Sequence, residues 1–260
     1  MKNKIDQLFE TKEKDILSIF FTAGYPNLND TGKILNELQK NDVDLIEIGI
    51  PYSDPLADGP VIQHASQIAI ENGMNLTLLF KQLSELKESI HTPIIMMGYL
   101  NSVLQFGLEK FYEQCYMNSV SGVILPDLPI DEFEKEHAYF ANKFNIKVVF
   151  LITPRTSLER IKYIDKISTG FIYVVSSNSI TGNSHSNFDD LNNFYATFKQ
   201  IPIKNKTLIG FGIRDHQSYN DACKISNGAI IGSAFISSLK NRINISHFID
   251  SIKQPQHISI

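Results

Sequence analysis

The chain has 260 residues, 43% hydrophobic and 20% charged, with a formal charge of −4. This is ordinary composition for a folded chain large enough to bury its own core, and it lacks the basic stripe of a nucleic-acid-binding protein. No run of about 18 apolar residues offers a membrane span, and the opening Met-Lys-Asn-Lys-Ile-Asp lacks the apolar core of a secretory signal. Cys115 and Cys223 lie far apart in patterned apolar segments, as expected of reduced core thiols in a cytosolic protein. The His residues are scattered, with none paired at metal-ligand spacing, so no metal is expected.

Along the chain, short apolar runs alternate with helical patterns. The first run, residues 16–21, is followed by a stripe of Ile34, Leu35 and Leu38 and by a second run at 44–48. A third run at 93–97 leads to Leu108, Phe111, Tyr112 and Cys115, spaced i, i+3, i+4, i+7 on one helix face. The fourth run, 122–125, precedes a similar stripe of Phe133, His137, Phe140, Ala141 and Phe144, with Asp131 and Glu134 spaced as a capping box. After the fifth run, 147–152, Ser157 is placed to N-cap a helix carrying Leu158, Ile161 and Ile164. Runs at 170–175, 207–211 and 228–231 complete the series.

These runs are β-branched or aromatic and do not alternate with polar residues, as parallel strands buried on both faces should read. Eight such units with no linker predict one closed (β/α)8 barrel over residues 1–260; the rival is an open, doubly wound sheet in two lobes. In a barrel the chemistry sits on the loops that follow the strands.

Glu47 lies inside the second apolar run, where a carboxylate is costly unless it is paired or used. Burial would raise its pKa toward neutrality and suit it to proton transfer; the alternative is a structural ion pair. Asp54 and Asp58 follow in a loop punctuated by Pro and Gly, and a loop Asp beside a buried Glu makes a plausible acid/base pair. Gly210-Phe-Gly-Ile213 ends the seventh strand, and Gly232-Ser233 ends the eighth just before a helical pattern. Glycine lets backbone N–H groups approach an anion, and the helix N-terminus attracts one, so phosphate is expected there. The long, small and polar segment 176–186 is a candidate mobile lid. Strand six offers Tyr173 but no Lys for a Schiff base.

At these residues the chain closely resembles the tryptophan synthase alpha subunit family. The resemblance spans nearly the whole chain, from Phe20-Phe-Thr-Ala-Gly-Tyr-Pro26 to Gly232-Ser233, and is most specific from Glu47 through Pro60 into Val61, Ile62 and Gln63. Gly98-Tyr-Leu-Asn101, Leu125-Pro-Asp-Leu-Pro129, Gly210-Phe-Gly-Ile213 and the absence of Trp support it. It implies a TIM barrel with an extra N-terminal helix and a lyase reaction, the retro-aldol cleavage of indole-3-glycerol phosphate to indole and glyceraldehyde 3-phosphate. By the same resemblance Glu47 is the general acid/base and Asp58 holds the indole N–H. Phe20, Tyr99, Ile152, Tyr173, Thr181 and Phe211 lie around the substrate, and Gly182, Gly212, Gly232 and Ser233 hold its phosphate.

No cofactor is implied in this chain. The implied partner is a PLP-bearing beta subunit in a cytoplasmic alpha2-beta2 heterotetramer, met by the loops at 51–55 and 99–103. Ser177 and Ser179 depart from the Arg and Gly usual in the family, which bears on loop closure and coupling to that partner. Two other readings stand beside this one: another phosphate-binding barrel enzyme, and an impaired alpha-like subunit that binds and activates the beta subunit without cleaving anything.

Overall fold

The computed structural model describes residues 2–175 and 201–254. Its eight strands are β1 (Ile16–Thr22), β2 (Leu45–Gly49), β3 (Ile94–Met97), β4 (Val120–Ile124), β5 (Lys147–Ile152), β6 (Ile172–Val175), β7 (Thr207–Gly210) and β8 (Gly228–Ile231). Each pairs in parallel with its sequence neighbour, and β8 returns to β1, closing the barrel. All eight expected runs are therefore strands, displaced by at most two residues at their starts and one at their ends. Their near-complete burial follows from the architecture, with side chains on one face filling the barrel and those on the other lying under helices.

Register assigns the faces. Phe20 is opposite Glu47, and Glu47 is opposite Ile95. Leu151 is opposite Tyr173, and Tyr173 is opposite Leu208. Because side chains alternate along each strand, Ser18, Phe20 and Thr22 share the interior with Glu47, Met97, Leu151 and Tyr173. Two interior glycines leave room for rings. A Cβ on Gly49 would lie 2.6 Å from the Phe20 ring, and one on Gly210 would lie 2.0 Å from the Tyr173 hydroxyl.

The extra N-terminal helix, Lys4–Thr11, closes the end of the barrel at which the strands begin. Asn3 caps it by accepting from the Ile5 N–H at 2.9 Å. The Asn3 amide also donates to the carbonyls of Ser121 and Asn145, at 2.8 and 2.7 Å. Ile5 is fully buried, and a Cβ on Gly122 would stand 2.9 Å from it.

The stripes of Ile34, Leu35 and Leu38, and of Phe111, Tyr112 and Cys115, are buried as expected, and Ser157 accepts from the Arg160 N–H at 3.3 Å as an N-cap. Leu158, in the first turn of that helix, is exposed instead. The expected capping box of Asp131 and Glu134 is also absent. The helical stretch starts earlier, at Ile130, entered through Pro129 at φ −65°, and a π-helical turn spans Phe133–His137. Proline has no side-chain oxygen to cap with, and the Glu134 carboxylate accepts from the Tyr163 hydroxyl at 2.6 Å instead. Cys115 and Cys223 are free and buried. Among the described residues no helix is long and apolar enough to cross a membrane.

Candidate active site

At the ends where the strands finish, Phe20, Asp58, Tyr173, Phe211, Gly212, Gly232 and Ser233 line one cavity enclosing about 500 Å³, part of it open to solvent. Ile62, Met97, Ile213 and Ile230 complete its walls. A smaller recess shares Phe20, Asp58, Ile62 and Met97 and adds Tyr99 and Pro126.

Glu47 sits within the barrel beside this cavity and is fully buried. Its Oε1 accepts from the Ser18 hydroxyl at 2.8 Å, and its Oε2 has no partner among the described residues. Burial pushes its pKa up from an ordinary 4.5 to about 8, against the opposing pull of the Ser18 hydrogen bond. The carboxyl is thus poised to hold or release a proton near neutral pH.

Asp58 comes from the loop between β2 and the helix Pro60–Glu71, which opens with proline at its first turn and has Gly59 as N-cap. Burial also raises the Asp58 pKa, and the Tyr99 hydroxyl, donating to Oδ2 at 3.1 Å, lowers it. Tyr99 in turn accepts from the Ala57 N–H at 2.9 Å and stacks on Tyr52 with ring centroids 5.0 Å apart. Tyr173 meets Phe211 edge-on at 6.2 Å, and its pKa is driven up by burial and then by the charges of Glu47 and Asp58.

The opposite wall is built from backbone. Phe211 and Gly212 take φ of 69° and 76°, a left-handed pair that turns the chain sharply after β7. A bulky residue at positive φ is costly, and such strain is retained where the surrounding structure enforces it. Gly232 is the N-cap of the helix Ser233–Lys240 and provides no side-chain cap. The first N–H groups of that helix, with the positive end of its dipole, lie at the cavity edge, an arrangement that favours an anion there.

The structure therefore brings together Glu47, Asp58, Phe20, Tyr99, Tyr173, Phe211, Gly212, Gly232 and Ser233. Thr181 and Gly182, like the departures at Ser177 and Ser179, lie outside the described residues. Ile152 does not join the group. It is fully buried on the same strand face as Phe150, whose ring packs edge-on against Phe133 on the barrel exterior, at 5.0 Å. The interior position belongs to its neighbour Leu151, opposite Tyr173. Sequence reading also assigned no role to Ser18, although a lone hydroxyl within an apolar run is the same kind of signal as Glu47. Ile62, Met97, Ile213 and Ile230 carried no such mark.

The arrangement accommodates a flat apolar body held between rings, an N–H met by a carboxylate, a proton exchanged with a buried acid, and an anion at a helix start. The family model described as "Tryptophan synthase alpha chain" matches residues 7–256. The chain belongs to the tryptophan synthase alpha chain family. It is 48% identical over 253 residues to the tryptophan synthase alpha chain of Flavobacterium psychrophilum, covering 96% of this chain and 99% of that one. With the tryptophan synthase alpha chain of Bacteroides fragilis it shares 43% identity over 260 residues, covering 99% and 98%. A crystal structure of the tryptophan synthase alpha subunit from Legionella pneumophila superposes with a TM-score of 0.86 at 28% identity, covering 98% of each chain.

Proposed function

We propose that Glu47 and Asp58 carry out the alpha reaction of tryptophan synthase, the cleavage of indole-3-glycerol phosphate to indole and glyceraldehyde 3-phosphate. The observation that carries this reading is the fully buried Glu47 carboxyl, with one oxygen lacking a partner among the described residues, beside a cavity that Asp58 lines. Breaking a carbon–carbon bond needs an electron sink, and the indole ring provides one once C3 is protonated. Glu47 gives its proton to C3. Positive charge then grows on the ring N–H, which Asp58 stabilises as the nearby acceptor. The side-chain hydroxyl returns a proton to Glu47 as its oxygen becomes the aldehyde carbonyl. The C3 bond breaks, and its electron pair restores the aromatic ring. One proton is given and one taken back, so the acid is regenerated without a cofactor in this chain.

Phe20, Tyr173 and Phe211 pack the ring, and Tyr99 orients Asp58. Gly212, Gly232 and Ser233 present backbone N–H groups to the phosphate. The beta partner, which carries PLP, takes the indole onward, and we place the pair in the cytoplasm, with residues 1–260 forming one domain. No observation favours the impaired subunit, since Asp58 lines the cavity and Glu47 is buried beside it.

The test is indole release from indole-3-glycerol phosphate by the purified chain, alone and with a beta subunit. Glu47→Gln should lower turnover by at least about 10²–10⁴-fold while the chain stays folded. Turnover near the wild-type rate in that variant would overturn the assignment of Glu47.

A further inference from the structure

We propose that Ser18 is a positioning residue for the acid, its hydroxyl holding Oε1 of Glu47 so that proton transfer falls to Oε2. This deepens the reading of Glu47 given above and rests on it.

Both side chains are fully buried on adjacent strands, with Ser18 on β1 opposite Leu45 and Glu47 on β2 opposite Phe20, so both point into the barrel. A serine hydroxyl has one proton to donate, and here it is spent on Oε1 at 2.8 Å. An unrestrained carboxyl can rotate and exchange its two oxygens. The hydrogen bond removes that equivalence. When the group is protonated, Oε1 is already accepting, so the proton resides on Oε2. That oxygen is buried with no partner among the described residues, so no described group holds its proton.

The surroundings make this single bond influential. The interior residues of β1 and β3 beside Glu47, which are Phe20, Thr22, Ile95 and Met97, carry no ionisable group. The titratable group facing it is Tyr173 from β6, which is also within reach of the charge of Asp58 from the loop after β2. Tyr173 supplies no positive charge, so among the described residues the Ser18 hydroxyl is the group opposing the effect of burial on the carboxyl. Without it, Glu47 should hold its proton to higher pH and sample both rotations.

The experiment measures the pH profile of kcat and KM for indole release in Ser18→Ala and Ser18→Thr, beside Glu47→Gln. Ser18→Ala should move the carboxyl ionisation in the kcat profile up by about one pH unit and lower kcat about 5–10-fold at neutral pH, with KM within about twofold. Ser18→Thr keeps the hydroxyl and should restore the profile. An unshifted profile in Ser18→Ala, whatever happens to its melting temperature, overturns the proposal, as does a shift that Ser18→Thr shares. An active Glu47→Gln would overturn the role of Glu47 itself and the proposal with it, whereas an inactive Glu47→Gln with an unshifted Ser18→Ala overturns the role of Ser18 alone. Should Ser18→Ala not fold, infrared spectroscopy of the protonated wild-type carboxyl decides, with its band assigned by loss in Glu47→Gln. A C=O stretch lowered by hydrogen bonding supports the proposal, and one typical of a free acid overturns it.

Discussion

Tyr99, in the turn after β3, donates its hydroxyl proton to Asp58, in the loop after β2, at 3.1 Å, while accepting the Ala57 N–H at 2.9 Å. The loop is thereby held at two adjacent positions by one phenol. Asp58 enters the site with one carboxylate oxygen already engaged and the other available to a ligand N–H.

Tyr99→Phe removes this donor and leaves the ring stacked on Tyr52. The Asp58 carboxyl should then titrate higher, since the hydrogen bond that lowers its pKa is gone. We expect kcat/KM for indole release to fall about 3–10-fold, the loss of one orienting hydrogen bond. Asp58→Asn, which removes the charge that stabilises the growing cation, should lose about 10²–10³-fold. Steady-state kinetics on both variants checks the ranking. A Tyr99→Phe loss as large as that of Asp58→Asn would mean that Tyr99 does more than orient its neighbour.

Glu47 should also leave a mark on stability. The folded chain holds this proton up to about pH 8, and the unfolded chain releases it near the ordinary 4.5. Its contribution is therefore fully present below about pH 4.5 and is lost as pH rises through about 8. Glu47→Gln has no proton to lose, so its stability relative to wild type should rise across that window by about 3–5 kcal/mol and then level off. Urea denaturation of both chains from pH 5 to pH 9 measures the difference. A constant gap would show that the carboxyl titrates as it does in water.

Gly210 and Tyr173 form a matched pair, because the ring occupies the space that a Cβ on Gly210 would need. Gly210→Ala should push the ring out of place, costing about 1–3 kcal/mol of stability and raising KM. Adding Tyr173→Leu, which has no distal hydroxyl, should recover most of the lost stability without recovering KM. Thermal melts and kinetics on the two single variants and the double variant test this as a cycle. Strict additivity of the melts would contradict the steric account.

Gly232 is a different case. A Cβ there would meet Phe20 and Ile62 only at ordinary contact distances, 3.5 Å and beyond, so the fold should tolerate Gly232→Val. The branched side chain would instead obstruct the anion site at the helix start. KM for indole-3-glycerol phosphate should rise about tenfold or more, with indole binding changed less. Equal weakening for the two ligands would place the phosphate elsewhere.

The sequence alone pointed to eight parallel strands and to one buried carboxyl, and the structure decided for the closed barrel over the open sheet. Eight short, β-branched or aromatic runs without alternation read as strands covered on both faces, and a carboxylate inside one of them stands out because burying it is costly. The Gly-Ser pair was legible because the barrel architecture says which loops bear chemistry, whereas Asp58 was told from Asp54 only by resemblance to the family. The same lack of alternation hid which side of β5 faces inward. A strand apolar on both faces carries no pattern to separate Leu151 from Ile152, and a one-residue difference exchanges the faces, so only the pairing of Leu151 with Tyr173 decides it. Ser18, and the contact of Tyr99 with Asp58, escaped for a related reason. Ser18 precedes its partner by 29 positions and Tyr99 follows its own by 41, and nothing local to either marks the contact. The pairing of β1 with β2, and of β2 with β3, brings each pair within hydrogen-bonding distance. The hydroxyls that orient the two carboxyl groups are thus a property of the tertiary structure, and the carboxyl groups themselves a property of the chain.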